Sequence, residues 1–274
     1  MKDFPALKHK FFAARRRLLK MYYESNSGHL GGSLSCLEAL IVLFHAVMTP
    51  RDRFILSKGH AAGALYVALW SVGLISDEKL SAFSLDNTTL PGHPSGSGIP
   101  GMLFPTGSLG HGISLASGLA LAAKYKSSDY NVFCLCSDGE WQEGSCWEAL
   151  IFAIHNRLDN LTVLIDQNGL QAFGTIDEVA SMSDLELKIA AFGPSVVSVD
   201  GHNLEAINAA LTPAGQESRN DNTKIARKPR FILLRTRKGK GTHFENDVSS
   251  HYLPLTKEQY IAACEVLIEQ EEAL

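Results

Sequence analysis

Asp138 and Asn168 stand thirty positions apart in a chain of 274 residues, each just past a short apolar run. An Asp carboxylate and an Asn carbonyl are hard oxygen donors suited to Mg²⁺ or Ca²⁺, and Mg²⁺ completes its shell with water and a ligand's phosphate oxygens. Gly139, next to Asp138, lets the main chain approach a diphosphate closely. The chemistry these residues could do is to clamp a diphosphate through a divalent cation. An Asp-Gly pair after a strand is by itself an ordinary turn, as is Asn168-Gly169, so the assignment depends on the elements that position the pair.

Residues 131–137 read as a buried strand that stops at Ser137-Asp138-Gly139. Residues 144–157 place Trp147, Leu150, Ile151 and Ile154 on one face of a helix, and 161–166 read as a second strand. A strand, a helix and a strand joined this closely should be parallel with a right-handed crossover, so both strands end on one edge of the sheet. Ligands of open α/β sheets lie outside that edge, and thirty positions is about one βαβ repeat.

Upstream, 6–23 read as a helix broken by Ser25-Asn26-Ser27-Gly28, and Ser33 as the cap of a second helix running to about Val47, with Leu37, Leu40, Ile41 and Phe44 on its apolar side. A strand at 52–57 leads through Lys58-Gly59-His60 into a helix ending near Trp70, and a small-residue helix follows Gly112 as far as Tyr125. Downstream, 195–199 and 231–236 read as further buried strands, with Asp200-Gly201-His202-Asn203 capping a helix from Leu204. The polar, aperiodic stretch 212–229 is expected to be a surface excursion or a partly disordered loop, without chemistry. The fold class is α/β, a parallel sheet flanked by helices. Gly96 to Gly101 formally fits the G-x-G-x-x-G fingerprint of dinucleotide folds, but no strand precedes it and Pro100 interrupts it, so the fingerprint is rejected.

Composition excludes several classes. The net charge of −4 gives no basic stripe for nucleic acid, and Arg15-Arg16-Arg17 and Lys238-Gly239-Lys240 read as solvated faces or local anion contacts. No run approaches the ~20 apolar residues of a membrane span, and no secretory leader is visible. The five cysteines, Cys36, Cys134, Cys136, Cys146 and Cys264, have no metal-ligand spacing and suggest a reducing, cytoplasmic location.

The ordered motifs resemble one family. Asp138-Gly139-Glu140, Gln142-Glu143-Gly144, Trp147-Glu148-Ala149, Asp159-Asn160-Leu161 and Asp166-Gln167-Asn168 are similar to the thiamine-diphosphate motif of the transketolase family, with Ser137 where that motif begins in glycine. Ser27-Gly28-His29-Leu30-Gly31, the segment from Asp52 to Ala61, Pro91-Gly92-His93-Pro94, and Thr106-Gly107-Ser108-Leu109-Gly110-His111-Gly112 resemble further family segments. Leu30 and Ser108 replace prolines and His111 replaces glutamine, so no contact is carried over for position 111. Ser250-His251 resembles the region that returns a last histidine to the active site, whereas His243 reads as a solvated loop residue.

The resemblance spans roughly 22–252 and implies a diphosphate-binding fold for a single domain, 1–274, without the family's pyrimidine-binding and carboxyl-terminal domains. It implies thiamine diphosphate and Mg²⁺ or Ca²⁺ as cofactors, with the metal held by Asp138, Asn168 and the main-chain carbonyl of Leu170. His60, Gly107, Leu109, Gly139, Glu140 and Asn168 are implied cofactor contacts. His29, His60, His93 and His251 are implied catalytic residues around the reacting hydroxyls and the diphosphate. The implied activity is that of the amino-terminal subunit of a split transketolase, moving a two-carbon ketol unit from a ketose or ketose phosphate to an aldose or aldose phosphate, with a complementary carboxyl-terminal subunit in an α2β2 assembly. The alternatives are another thiamine enzyme subunit, resembling a deoxyxylulose-phosphate synthase or a ketoacid dehydrogenase, and a non-enzymatic regulatory subunit.

Overall fold

The computed structural model describes residues 3–96, 98–212 and 228–272. The expected excursion at 212–229 falls mostly outside the described residues. Five parallel strands, β1 (Arg53–Leu56), β2 (Val132–Ser137), β3 (Leu161–Gln167), β4 (Ser195–Asp200) and β5 (Arg230–Arg235), form one sheet in the order β1-β2-β3-β5-β4. Alternation along the strands sends side chains into two layers. Phe133 and Leu135 of β2 join Leu56, Leu164, Ile232 and Leu234 in one core, while Val132, Cys134 and Cys136 join Val163, Ile165, Phe231 and Leu233 in the other.

The first core is covered by α1 (Phe4–Ser25), α2 (Leu30–Leu34), α3 (Leu37–Val42, prolonged by a π turn over Leu43–Val47), α4 (Ala62–Ser71) and α5 (Asp77–Ser81). The second is covered by α6 (Gly112–Tyr125), α7 (Gly144–His155) and α9 (Leu185–Ala191), with the short α8 (Ile176–Ala180) before α9. α10 (Leu204–Leu211) returns to the first layer, and α11 (Lys257–Glu272) packs on α1, stacking Tyr260 on Tyr23 at 4.4 Å. Among the described residues no helix is long and apolar enough to cross a membrane.

Three expectations need correction. Ser33 is not a cap: α2 begins at Leu30, and the buried Ser33 hydroxyl bonds the phenol of Tyr22 at 2.8 Å, because close packing against α1 captures it. β4 is an edge strand with exposed Ser195, Val197 and Asp200 rather than a buried one, since a strand at the sheet's border is covered less on its outer side. The buried face of α7 is Cys146, Ala149, Leu150 and Ala153, leaving Ile151 52% exposed. Small residues there let the helix lie close to the sheet and α6, and that closeness outweighs burial of the bulkier Ile151.

Candidate active site

The carboxyl ends of β1, β2, β3 and β5 open onto one edge, and the loops that follow them build the site. After β2, Asp138 is 4% exposed; its Oδ1 accepts from the Gly139 N–H at 2.8 Å and its Oδ2 from the Gly169 N–H at 2.6 Å. Its own N–H donates to the carbonyl of Asp166. The loops after β2 and β3 are thereby tied together, and Asp138 and Asn168 do share one edge.

A polar knot lies beneath them. Asp166 is fully buried and accepts from the Ser35 hydroxyl at 2.6 Å, the Asn168 amide at 3.0 Å, the Lys58 ammonium and the Thr236 hydroxyl. Burial alone would raise the Asp166 carboxyl, but Lys58 and these hydrogen bonds outweigh it and hold the group below the usual carboxylate range. Lys58, also fully buried, donates further to Gly32 O at 2.9 Å; burial opposes its charge, and Asp166 more than offsets that. An ionised carboxylate only accepts, so the Asn168 Nδ2 must face Asp166 and its Oδ1 must face the other way.

This donor set fits a divalent cation. Asp138, the outward Oδ1 of Asn168 and the Leu170 carbonyl are all oxygen, as Mg²⁺ or Ca²⁺ requires. Burial, with Asp166 nearby, pushes the Asp138 carboxyl up to about 6, a cost that a bound cation would remove. Among the described residues no three His, Cys, Asp or Glu side chains cluster as a metal site, so the candidate here is the mixed set of one carboxylate, one amide oxygen and one main-chain carbonyl.

The four implied histidines converge. The His29 ring centroid lies 5.9 Å from His60, 5.3 Å from His93 and 5.1 Å from His251, and His60 lies 5.4 Å from His251. His29 caps α2 with a left-handed φ of 71°, and its N–H donates to the His251 carbonyl at 2.9 Å. A non-glycine residue in that conformation is uncommon, histidine being among those that tolerate it. A side chain at Gly59 would strike the main chain of Thr106 and Gly107 at 2.8 Å, so that glycine admits the Gly107–Leu109 loop beside His60, and Gly107 lies against His93. His243 is exposed on a loop, as expected.

Glu140 requires a correction. It is 0% exposed: one oxygen accepts from the Ser57 hydroxyl and from the Gly110 N–H at 2.8 Å, the other from the Ser137 N–H at 3.1 Å. Its side chain is taken up in tying the Gly107–Gly112 loop to the ends of β1 and β2, so a cofactor contact from this residue would have to come from its main chain. At Gly139, an added side chain would meet Gln171 at 2.8 Å and Ile176 at 3.2 Å, so this glycine also lets the Leu170 loop close over the β2 turn.

Lys238 went unrecognised in the sequence. Read there only as part of a solvated face or a local anion contact, it is 1% exposed and donates to His251 Nδ1 at 2.6 Å and to the Leu170 carbonyl at 3.4 Å. An ammonium only donates, so it fixes the proton of His251 on Nε2. Burial, with Lys58 adding to it, brings Lys238 down to about 8. Its signal was position: Lys58, Asp166, Thr236 and Lys238 all lie at or just past the carboxyl ends of parallel strands, where ligand-facing groups gather. Size of cavity was no guide, since an apolar cavity of about 480 Å³ lined by Phe44, Phe54, Leu65 and Met102 lies away from the histidines.

The histidines are held neutral. Burial, then His93 and Lys238, bring His29 down to about 4; burial, then Lys238 and His29, bring His251 to about 3. Burial also lowers His93, and burial with Lys58 and its neighbours places His60 well below the ordinary histidine value. The unfolded chain then binds more protons than the native one between the folded values and about 6.5, so stability is full above that pH and is lost as pH falls. Urea unfolding should show a lower midpoint at pH 5 than at pH 7, and the difference should shrink in His29→Asn and His251→Asn variants.

Fold and site together define an α/β protein whose buried polar knot and four histidines gather at the carboxyl edge of a parallel sheet. Residues 9–267 match the family described as transketolase, thiamine diphosphate binding domain, and the chain belongs to that family. It is 37% identical over 270 residues to an apulose-4-phosphate transketolase subunit of Phocaeicola vulgatus, covering 95% of this chain and 93% of that protein. It is 38% identical over 267 residues to the 6-deoxy-6-sulfo-D-fructose transketolase subunit SqwG of a Clostridium species, covering 94% of each. Among solved structures, transketolase from Leishmania mexicana superposes with a TM-score of 0.84 at 26% identity, covering 95% of this chain and 41% of that one. The Campylobacter jejuni enzyme superposes with a TM-score of 0.82 at 30% identity, covering 97% and 43%. The chain thus spans about two fifths of these solved transketolases but nearly the whole length of the Phocaeicola and Clostridium proteins.

Proposed function

We propose that this chain is the amino-terminal subunit of a split transketolase, which transfers a two-carbon ketol unit from a ketose or ketose phosphate to an aldose or aldose phosphate only together with a complementary subunit, in an α2β2 assembly. The observation that carries this reading is the convergence of His29, His60, His93 and His251 beside the Asp138–Asn168 edge. Asp138, Asn168 and the Leu170 carbonyl would hold Mg²⁺ or Ca²⁺. Gly107, Leu109, Gly139 and His60 would line the diphosphate and its ring, with Lys238 supplying positive charge. Thiamine diphosphate, when bound, supplies the electron sink for breaking and forming a carbon–carbon bond.

The side chains move and hold protons. Neutral histidines can accept a hydroxyl proton at pH 7, as donor cleavage requires, and return it during acceptor attack. His93 is assigned to the hydroxyl of the two-carbon unit, His29 and His251 to the hydroxyls beside the bond that breaks or forms, and His60 to the diphosphate side. His251 presents Nε2–H because Lys238 occupies its Nδ1, so it donates a hydrogen bond to a substrate oxygen and leaves proton acceptance to the other histidines.

The Phocaeicola and Clostridium proteins are themselves named as transketolase subunits, which supports the need for a partner, and that partner would bring the pyrimidine-binding domain. Their names point to apulose 4-phosphate and 6-deoxy-6-sulfo-D-fructose as donors to try, beside fructose 6-phosphate. The test is reconstitution: neither chain by itself should transfer a two-carbon unit with thiamine diphosphate and Mg²⁺, and the mixture should. Transfer by the isolated chain, or a pyruvate-dependent product from the mixture, would overturn the reading.

A further inference from the structure

Tyr252 follows His251 at the end of the short helical turn Val248–His251 and has no part in the assignments above. Its ring centroid lies 4.6 Å from that of His251 at 71° and 6.0 Å from that of His29 at 62°. It is nevertheless 52% exposed, and Leu253 beside it is 63% exposed. The backbone that carries it is fixed. The His29 N–H donates to the His251 carbonyl, the Tyr252 N–H donates to Ser249 O at 3.2 Å, and a side chain at Gly28 would strike the Tyr252 carbonyl at 2.3 Å. A half-exposed aromatic is thus held edge-on against two of the site's histidines.

The rings beside it are those of His29 and His251. Lys58 is committed to Asp166 and Gly32, and Lys238, which touches His251 and Leu170, faces the proposed diphosphate, so neither cation is spare for a substrate's far end. An aromatic ring at such a position offers its face to the C–H side of a sugar, and its phenol can meet a hydroxyl. We infer that Tyr252 is a specificity-determining residue that packs on the carbon chain of the sugar beyond the reacting carbons. The inference rests on the transketolase reading and extends it. This chain then selects for the length and C–H face of the acceptor.

The test uses the reconstituted complex, with whichever donor of the panel turns over held saturating, and two acceptors: glycolaldehyde, whose two carbons end at the reacting centre, and D-erythrose, whose chain continues past it. Tyr252→Ala should raise KM for erythrose about tenfold, within the range of one lost aromatic contact. It should leave kcat, and KM for glycolaldehyde, within twofold. Tyr252→Phe, which keeps the ring, should restore the erythrose KM. An unchanged erythrose KM in an active Tyr252→Ala complex overturns the proposal alone. So does weaker association of the two chains with unchanged KM in the assembled fraction, which would make Tyr252 a partner contact. Wild-type complex inactive on every donor overturns the transketolase reading and this inference with it.

Discussion

Replacing Asp138 with alanine should abolish Mg²⁺-dependent retention of thiamine diphosphate and leave the ligand-free fold nearly as stable as wild type. The asymmetry follows from what the carboxylate does in each state. Without a ligand it accepts two loop N–H groups, from Gly139 and Gly169, and sits buried near Asp166, which raises its pKa. Removing it forfeits two hydrogen bonds worth about 1 kcal/mol each and relieves an unfavourable buried charge of similar size. With ligand, the same carboxylate is the only anionic member of the proposed donor set, the others being an amide and a carbonyl. Losing even an outer partner of a metal typically costs roughly 10- to 100-fold in affinity, so loss of the anionic ligand itself should exceed that. At a ligand concentration of ~100 Kd the wild-type complex gains about 2.7 kcal/mol, and each kcal/mol moves the melting point of a domain of this size by about 2–4 °C. Thermal melts of wild type and Asp138→Ala, with and without Mg²⁺ and thiamine diphosphate, read both terms. A variant that keeps the full ligand-induced shift would refute the metal assignment.

The motif half of this site was legible because chemistry and topology coincide there. An apolar strand ending in Asp-Gly, a helix, and an apolar strand ending near Asn168 permit one parallel arrangement, and that arrangement fixes which edge the two residues share. Four histidines scattered over more than two hundred positions could be gathered only through resemblance, since nothing local in His29 or His251 announces a contact. Local pattern also misjudged partners. Ser33 looked like a cap because hydroxyls favour caps, yet Tyr22 claimed it; Ile151 looked buried because it is large, yet smaller Cys146 and Ala149 took the core. Glu140 and Lys238 erred in opposite directions. A glutamate in a cofactor motif proved internal, and a lysine beside glycine proved buried, because burial of a charge is decided by distant partners: Ser57 and Gly110 for one, His251 and Leu170 for the other.

Asp166 carries the second large effect, and it separates holding the fold from aiming a ligand. Four segments donate to this one carboxylate: the turn after α2 through Ser35, the end of β1 through Lys58, the loop after β3 through Asn168, and the end of β5 through Thr236. Asp166→Ala leaves the Lys58 ammonium fully buried without its anion, a change that costs about 3–5 kcal/mol, and the urea midpoint should fall accordingly. That loss alone would say little about Asn168. Replacing both partners, Lys58→Met with Asp166→Leu, removes the stranded charge together with the pair, and buried ion pairs exchanged for apolar side chains of similar volume commonly recover stability. The double variant should therefore recover the part of the Asp166→Ala loss that comes from the stranded ammonium, short of what the Ser35, Asn168 and Thr236 donors lose with their acceptor, yet its ligand-induced melting shift should remain well below the wild-type shift. The Asn168 amide then loses the acceptor that held its Nδ2, and its flipped orientation presents a donor where the cation requires an acceptor. Were the double variant to regain the full shift along with its stability, Asp166 would be a counter-ion for Lys58 and nothing more, and the orientation of Asn168 would have to come from the Leu170 N–H that bonds its Oδ1 at 3.1 Å.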